Sequence, residues 1–470
     1  MSSEYDIVII GRGAAAFSAA IKASELSDGK ASIAMVGNGP LGGTCVNVGC
    51  VPSKYLLEAS HAYFYSKAGR FRGVRTADPS LDFSEVMEGT RALVSSFRKE
   101  KYEKVLSSYS NVESIDGYAK FNSSESIEVS GKTIRYKSAI IATGSSPSIP
   151  PIEGLRDAGY ITSNTVWQLS KKPDSIAVIG GGAIGLEIGQ AFLHFGTQVA
   201  VIEAMPRIIP QVEGDISSTL QSKLEDEGMQ FYTKARINTV SKGGNGKMVE
   251  IVTAKGRKTI KVEEILVATG RIPNTSDLGL DKAGVEADGK GFIKVNSGMR
   301  TTNPRIFAAG DCISKKLMLE TLAAREGTIA SINLLGGNAE IDYDSTPWAV
   351  FTNPQVASVG MTEEEFMKKT GACSCRVIEL KDVPKAVMLG EPEGMVKLVV
   401  DPYSYKVVGL HILSPLATEF IIEGAYAIKY GLTFREIMDM THIFPTLAEG
   451  IKLSAQAFVR DISKMSCCVE

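Results

Sequence analysis

Short apolar runs that stop at glycine recur along this chain, each followed by residues spaced for one face of a helix. The run over residues 5–10 ends at Gly11, helical spacing follows over 14–26, and a second run covers 31–36. That order predicts strand, helix, strand. The same logic starts again at Ser175, about 170 residues after the first unit, and closes with the run 264–268. Two further runs, 139–142 and 264–268, end in Thr-Gly (Thr143-Gly144 and Thr269-Gly270), and a third, 306–309, ends in Gly310-Asp311. The Ser/Pro-rich stretch 145–151 predicts a linker. From about Asp342 the pattern turns β-rich (349–360 and 395–413) and then helical (417–430 and 447–459). The expected fold is α/β, with two doubly wound, Rossmann-like nucleotide-binding units and a C-terminal α+β domain. Residues 463–470 are expected to form a mobile tail.

Length and composition agree with a multi-domain globular chain of 470 residues, 44% hydrophobic and 22% charged. A net charge of −2, from 51 Lys+Arg against 53 Asp+Glu, leaves no basic excess for a nucleic acid. No apolar run approaches the ~20 residues of a membrane helix, and the first strand lacks the layout of a signal peptide. The expectation is a cytoplasmic protein. Seven cysteines are too few for a disulfide scaffold, so chemistry explains them better than structure does.

Gly11, Gly13 and Ala16 fit G-x-G-x-x-A between a strand and a helix, and Gly180, Gly182 and Gly185 repeat the pattern. The first glycine makes the turn, the second admits a pyrophosphate, and the small third residue lets helix and strand pack. Free N–H groups at the helix start then face the phosphates. Glu203 ends the next strand of the second unit. A carboxylate there accepts from a ribose 2′-hydroxyl and repels a 2′-phosphate, which favours NADH over NADPH. In the first unit the expected acid is Gly37, followed by Asn38, a candidate ribose partner.

Cys45 and Cys50 are separated by four residues in the glycine-rich entry to a helix, after Gly43 and Thr44. They can close a small redox disulfide, and a helix start favours the thiolate. Lys54 follows Cys50 by one helical turn, near enough to place a cation beside a reduced cofactor.

These motifs resemble the pyridine nucleotide–disulfide oxidoreductases over essentially the full length. That family includes lipoamide dehydrogenase, glutathione reductase and mercuric reductase. The resemblance implies FAD in the first cradle, a nicotinamide in the second and a homodimer formed by the C-terminal domain. It divides the chain into an FAD-binding part (1–150), an NAD(P)H-binding domain (151–270), a second FAD-binding or central part (271–341), an interface domain (342–462) and the tail. It also implies cofactor contacts from Gly117, Ala119, Thr143, Gly144, Ser145, Gly270, Arg271, Gly310 and Asp311. By the same resemblance Lys54 pairs with Glu187 near the flavin, Cys50 is the thiolate against the flavin, and Cys45 is the thiol that meets substrate.

Family members that reduce organic disulfides carry a catalytic histidine where this chain has Phe444, in the segment 442–449. A phenyl ring cannot shuttle a proton. The tail carries the vicinal pair Cys467-Cys468. Adjacent Cα atoms, ~3.8 Å apart, suit a structural disulfide poorly and a thiophilic metal well. The tail pair resembles that of mercuric reductases, in which such a pair hands Hg(II) to the inner cysteines, whereas Phe444 departs from their pattern, which has a tyrosine at that position. Tyr102, in Lys101-Tyr102-Glu103, matches one of their active-site tyrosines. The resemblance therefore implies reduction of thiol-carried Hg(II) by NAD(P)H, with Cys45, Cys50, Cys467 and Cys468 as metal ligands. A disulfide reductase and a metal-sequestering flavoprotein are the alternatives. Cys312 is expected in the core, and Cys373 and Cys375 as surface thiols on one face of a strand.

Overall fold

The computed structural model describes residues 3–67, 71–76, 78–244, 246–315 and 317–465. The proposed tail pair, Cys467 and Cys468, lies outside the described residues.

The first sheet is parallel at its centre, in the order Val112–Asp116, Ile33–Gly37, Ser3–Ile10, Lys132–Ile141, Ile306–Ala308. A short antiparallel meander, Ala119–Ser123 and Ser126–Val129, pairs with the start of Lys132–Ile141. Ile7, Val8, Ile9 and Ile10 are all buried, which explains their unbroken apolar run: both faces of a parallel sheet are covered. The helix Ala14–Leu26 covers one face with buried Ala15, Ala16, Ala19, Ala20 and Ala23. Such small side chains let the helix Glu320–Leu334 lie close against it. A Cβ on Gly327 would come within 2.1 Å of the Ala15 carbonyl oxygen.

The second sheet is wholly parallel, in the order Gln230–Tyr232, Gln198–Ile202, Ser175–Ile179, Glu264–Val267, Ile161–Thr162. A three-stranded antiparallel sheet over 236–262 adjoins it. The expected linker is in part a strand: Ser145–Pro147 pairs antiparallel with Arg271–Pro273, so the chain leaves and re-enters this unit side by side. The C-terminal sheet is antiparallel, in the order Trp348–Val350, Gln355–Gly360, Val407–Ser414, Met395–Val400, Ser374–Glu379. The helices Ile422–Tyr430 and Glu449–Gln456 share its core. Two of the expected long helices are shorter or divided, because Ala417–Phe420 is separate from Ile422–Tyr430.

One helix pair joins the first two units. Cys50–Lys67 packs on Ala183–His194, so residues 133 apart in sequence meet.

Candidate functional site

The first glycine turn is built to receive a ligand's backbone-close approach. Gly11 has φ +145°, and a Cβ there would sit 2.1 Å from the Ala142 carbonyl oxygen. Gly43 has φ +61°, and its Cβ would meet Gly13 Cα at 2.5 Å. Only glycine suits such crossings. At the far end of the same sheet edge, Asn38 Nδ2 donates to the Tyr118 hydroxyl at 2.7 Å, and Gly117 N–H donates to the Gly37 carbonyl at 3.0 Å. Asn38, Gly117 and Ala119 are thereby brought to one corner.

The missing acid at Gly37 has a steric reason. A Cβ there would lie 2.8 Å from Cγ of Arg12, whose side chain is largely buried. Arg12 donates to the Gly39 carbonyl at 2.9 Å and pairs with Asp116 at 2.6 Å. Sequence reading missed Arg12 because it treated that position only as the variable residue inside the glycine motif.

At the other end of the cradle, Ser145 Oγ donates to Asp311 Oδ2 at 3.0 Å, and Arg271 donates to Ser145 Oγ and carbonyl at 2.7 and 2.6 Å. Asn274 holds the Thr143-Gly144 turn, donating from its side-chain amide to the Thr143 carbonyl and from its backbone N–H to the Gly144 carbonyl, both at 3.0 Å. Gly310 N–H donates to Glu326 at 2.8 Å.

The second turn repeats the first. Gly180 has φ +109°, and its Cβ would meet the Ala268 carbonyl oxygen at 2.4 Å; a Cβ on Gly185 would meet the Gly180 oxygen at 2.2 Å. Gly182 begins the helix at its N-cap, and Gly270 has φ +106°. Glu203 leans over this turn and accepts from Gly181 N–H at 2.6 Å and Met205 N–H at 2.7 Å. Arg207, the nearest cation, donates instead to the carbonyls of Pro210 and Val212 at 3.1 and 3.3 Å.

Cys45 lies in the short helix Gly43–Val48, and Cys50 opens the long helix Cys50–Lys67. Gly49 between them comes so close that a Cβ would stand 3.1 Å from Cys45 Cα. The two free thiols are hydrogen-bonded neighbours. That bond splits their acidities. Donation from Cys45, aided by the Lys54 ammonium, holds Cys50 below its ordinary value against the cost of burial. Cys45 is driven up by the same bond and then by burial. The bond and the cation therefore favour a thiolate at Cys50 over one at Cys45.

Lys54 Nζ is 2.6 Å from Glu187 Oε2 and 4.3 Å from the ring centroid of Phe351. Phe351 N–H donates to the other Glu187 oxygen at 2.9 Å. Glu187 is therefore saturated though buried, and Lys54 is pinned one turn beyond Cys50. Tyr102 stands edge-on to Phe17 at 4.8 Å, and burial, then Glu320, then the two cysteines raise its hydroxyl to about 12. Glu320, at the start of its helix, acts through its charge to push Cys45, Cys50 and Tyr102 upward alike.

Sequence reading found no role for Trp167, yet its indole N–H donates to the Val48 and Ser163 carbonyls at 2.9 and 2.7 Å. Asn47 donates to Leu41 and Gly43 carbonyls and accepts from Arg98 at 3.1 Å. These residues fasten the cysteine loop. Only long-range contacts reveal them.

Phe444 is 46% exposed. His442 is tied to Glu423 at 3.2 Å, and that carboxylate, against burial, raises its imidazole above the usual range. Cys312 is fully buried and donates to backbone carbonyls, a core residue. Among the described residues no three His, Cys, Asp or Glu side chains converge as a metal site, and no helix is long and apolar enough to cross a membrane.

Comparison with known proteins adds three findings. Residues 5–327 match the pyridine nucleotide-disulphide oxidoreductase family, and residues 346–455 match its dimerisation domain. Mercuric reductases from Lysinibacillus sphaericus and Streptomyces lividans are 40% and 37% identical, each over 99% of this chain and over 84% and 98% of their own lengths. The crystal structure of LpdA from Mycobacterium tuberculosis superposes with a TM-score of 0.87 at 25% identity, covering 97% of this chain and 100% of that one.

Proposed function

The chain belongs to the pyridine nucleotide-disulphide oxidoreductases and, within them, to the mercuric reductases; from that premise we propose that it reduces thiol-carried Hg(II) to Hg(0) with electrons from NADH. The net reaction is Hg(II) + NADH → Hg(0) + NAD⁺ + H⁺. One observation carries the reading: the Cys45–Cys50 pair is polarised toward a thiolate at Cys50 beside the Lys54–Glu187 ion pair.

FAD is the resident cofactor of the family, and the first cradle fits it, since the Gly11 and Gly43 crossings leave no room for a Cβ. Gly11, Gly13, Ala16, Gly43 and Thr44 would hold its pyrophosphate end, Asn38, Gly117 and Ala119 the adenosine end, and Asp311 with Ser145 the ribityl chain. When bound, FAD supplies two-electron transfer between the nicotinamide and the dithiol site. Lys54 keeps a fixed cation at that position, and Glu187 keeps Lys54 from turning to solvent. Gly180, Gly182 and Gly185 would receive the nicotinamide dinucleotide. Glu203, held by two backbone N–H groups, repels a 2′-phosphate, and Arg207 is engaged elsewhere, which supports NADH.

Hg(II) reaches Cys45 and Cys50 by ligand exchange: two sulfur–mercury bonds form, two to carrier thiols break, and the proton of Cys45 leaves with a departing thiolate. No acid is needed to release Hg(0), which thiolates hold weakly, so Phe444 is tolerable where disulfide reduction would need an imidazole. Cys467 and Cys468 of the other protomer of a homodimer would deliver the ion, with Tyr102 beside the inner pair, in the cytoplasm.

The test is anaerobic oxidation of NADH by the FAD-loaded protein in excess small thiol, with and without Hg(II). The proposal expects Hg(II)-dependent oxidation, faster with NADH than NADPH, that is lost in Cys50→Ser. Absence of any Hg(II) dependence in flavin-replete protein would sink it.

A further inference from the structure

A second pair of thiols lies away from the redox site, where the C-terminal sheet meets the nicotinamide unit. Ser374–Glu379 is an edge strand; Cys375 lies in it, paired with Val399, and Cys373 immediately precedes it. Alternation along an extended segment puts residues two apart on the same face. Both thiols are free and partly exposed. Cys373 Sγ donates to Glu363 Oε1 at 3.7 Å, and the same carboxylate, after burial, raises Cys375.

Glu363 is itself tied on two sides. Its Oε2 lies 2.9 Å from Lys397 Nζ, and its N–H donates to Glu213 Oε1 at 2.5 Å. Lys397 is buried and also pairs with Glu213 and Asp215 at 2.9 and 3.2 Å. The carboxylate that acts on the two thiols is thus anchored across the joint between two units. Lys397 Nζ already fills the point where the Glu213, Asp215 and Glu363 carboxylates meet, 2.9, 3.2 and 2.9 Å from them. A soft ion that takes two collinear sulfurs needs nothing more than the pair.

We propose that Cys373 and Cys375 form a second binding site for a soft, thiophilic divalent ion such as Hg(II), separate from the redox pair. Capture is an exchange without oxidation or reduction. Two sulfur–metal bonds to the protein form, two to carrier thiols break, and the two thiol protons leave with the departing thiolates. Burial and Glu363 hold Cys375 up at about 12, so the pair stays protonated and resists air oxidation until such an ion displaces the protons.

The experiment counts mercury. Full-length protein carrying Cys45→Ser, Cys50→Ser, Cys467→Ser and Cys468→Ser is incubated with Hg(II) and excess cysteine and desalted, and bound metal is measured by mass spectrometry. The site predicts about one retained ion per chain, lost on adding Cys373→Ser or Cys375→Ser. No retained mercury in the four-site variant, or retention that survives loss of Cys373 and Cys375, overturns the proposal. Should the four-site variant fold poorly by flavin content, the comparison runs in the otherwise unaltered protein. There Cys373→Ser/Cys375→Ser should bind about one ion fewer, and equal stoichiometry overturns the site. The count is independent of NADH oxidation, so it stands or falls apart from the reductase reading.

Discussion

At the scale of single residues the account turns on how two thiols in one loop acquire different acidities. The Cys45–Cys50 hydrogen bond is the larger cause, and the Lys54 ammonium adds to it, while burial and the carboxylates of Glu320 and Glu187 oppose it. Removing the cation must raise Cys50. In Lys54→Met, alkylation of the reduced protein by iodoacetamide should be about tenfold slower at pH 6, the equivalent of one pKa unit. Glu320→Gln should act oppositely and speed it. Equal rates in all three proteins would contradict the electrostatic assignment. Cys45, Cys50, Lys54 and the glycine turns were legible in the sequence because their chemistry depends on short spacings. Glu320 was not, since nothing local marks a helix-start acid as acting on a loop some 270 residues earlier. Gly37 read as a defect in the first cradle, and only the buried Arg12 side chain against it explains the lack of a larger residue.

At the scale of elements the helix Cys50–Lys67 does two jobs. Its first turns carry Cys50 and Lys54, and its later turns lie against Ala183–His194. There His61 packs 5.3 Å from His194, which bonds Glu227 at 3.0 Å. Burial, and then His194, lower the His61 imidazole to about 4. The sign follows from linkage. Between the unfolded value of ~6.5 and 4 the unfolded chain binds a proton that the folded chain refuses. Stability from this residue is complete above pH 6.5 and falls as pH drops toward 4. His61→Phe should therefore lose less melting temperature between pH 7.5 and pH 5 than the unaltered protein. An equal loss would remove His61 from the acid response. The pattern of apolar runs predicted these strands and helices well, because each obeys a local period. The stretch 145–151 misled, since its Ser/Pro content suggests a linker while its partner strand, Arg271–Pro273, lies far along the chain.

At the scale of the whole molecule, one hydrophobic cluster runs through all three units, from Leu56 and Leu57 through Phe192 to Val350 and Leu413, and long-range polar contacts add to it. Lys54 with Glu187, Gln190 with Asn353, and Lys397 with Glu213 each join different units. Repetition of the strand–glycine–helix motif made the two nucleotide-binding units readable from sequence alone. The joints between them were not readable, because they depend on which faces dock. The dithiol lies at such a joint: the first unit provides Cys45, Cys50, Lys54 and Tyr102, the second Glu187, and the turn between the first two strands of the last sheet Phe351. The central claim is that this assembly sends electrons from NADH to a metal ion and not to an organic disulfide. The most direct measurement follows NADH consumption and volatile mercury together, anaerobically, with Hg(II) or lipoamide as the acceptor. The account predicts elemental mercury in the headspace, mole for mole with NADH oxidised, and negligible turnover of lipoamide. Steady turnover of lipoamide with no mercury released would contradict it, and would mean that some group other than Phe444 supplies the proton for disulfide reduction.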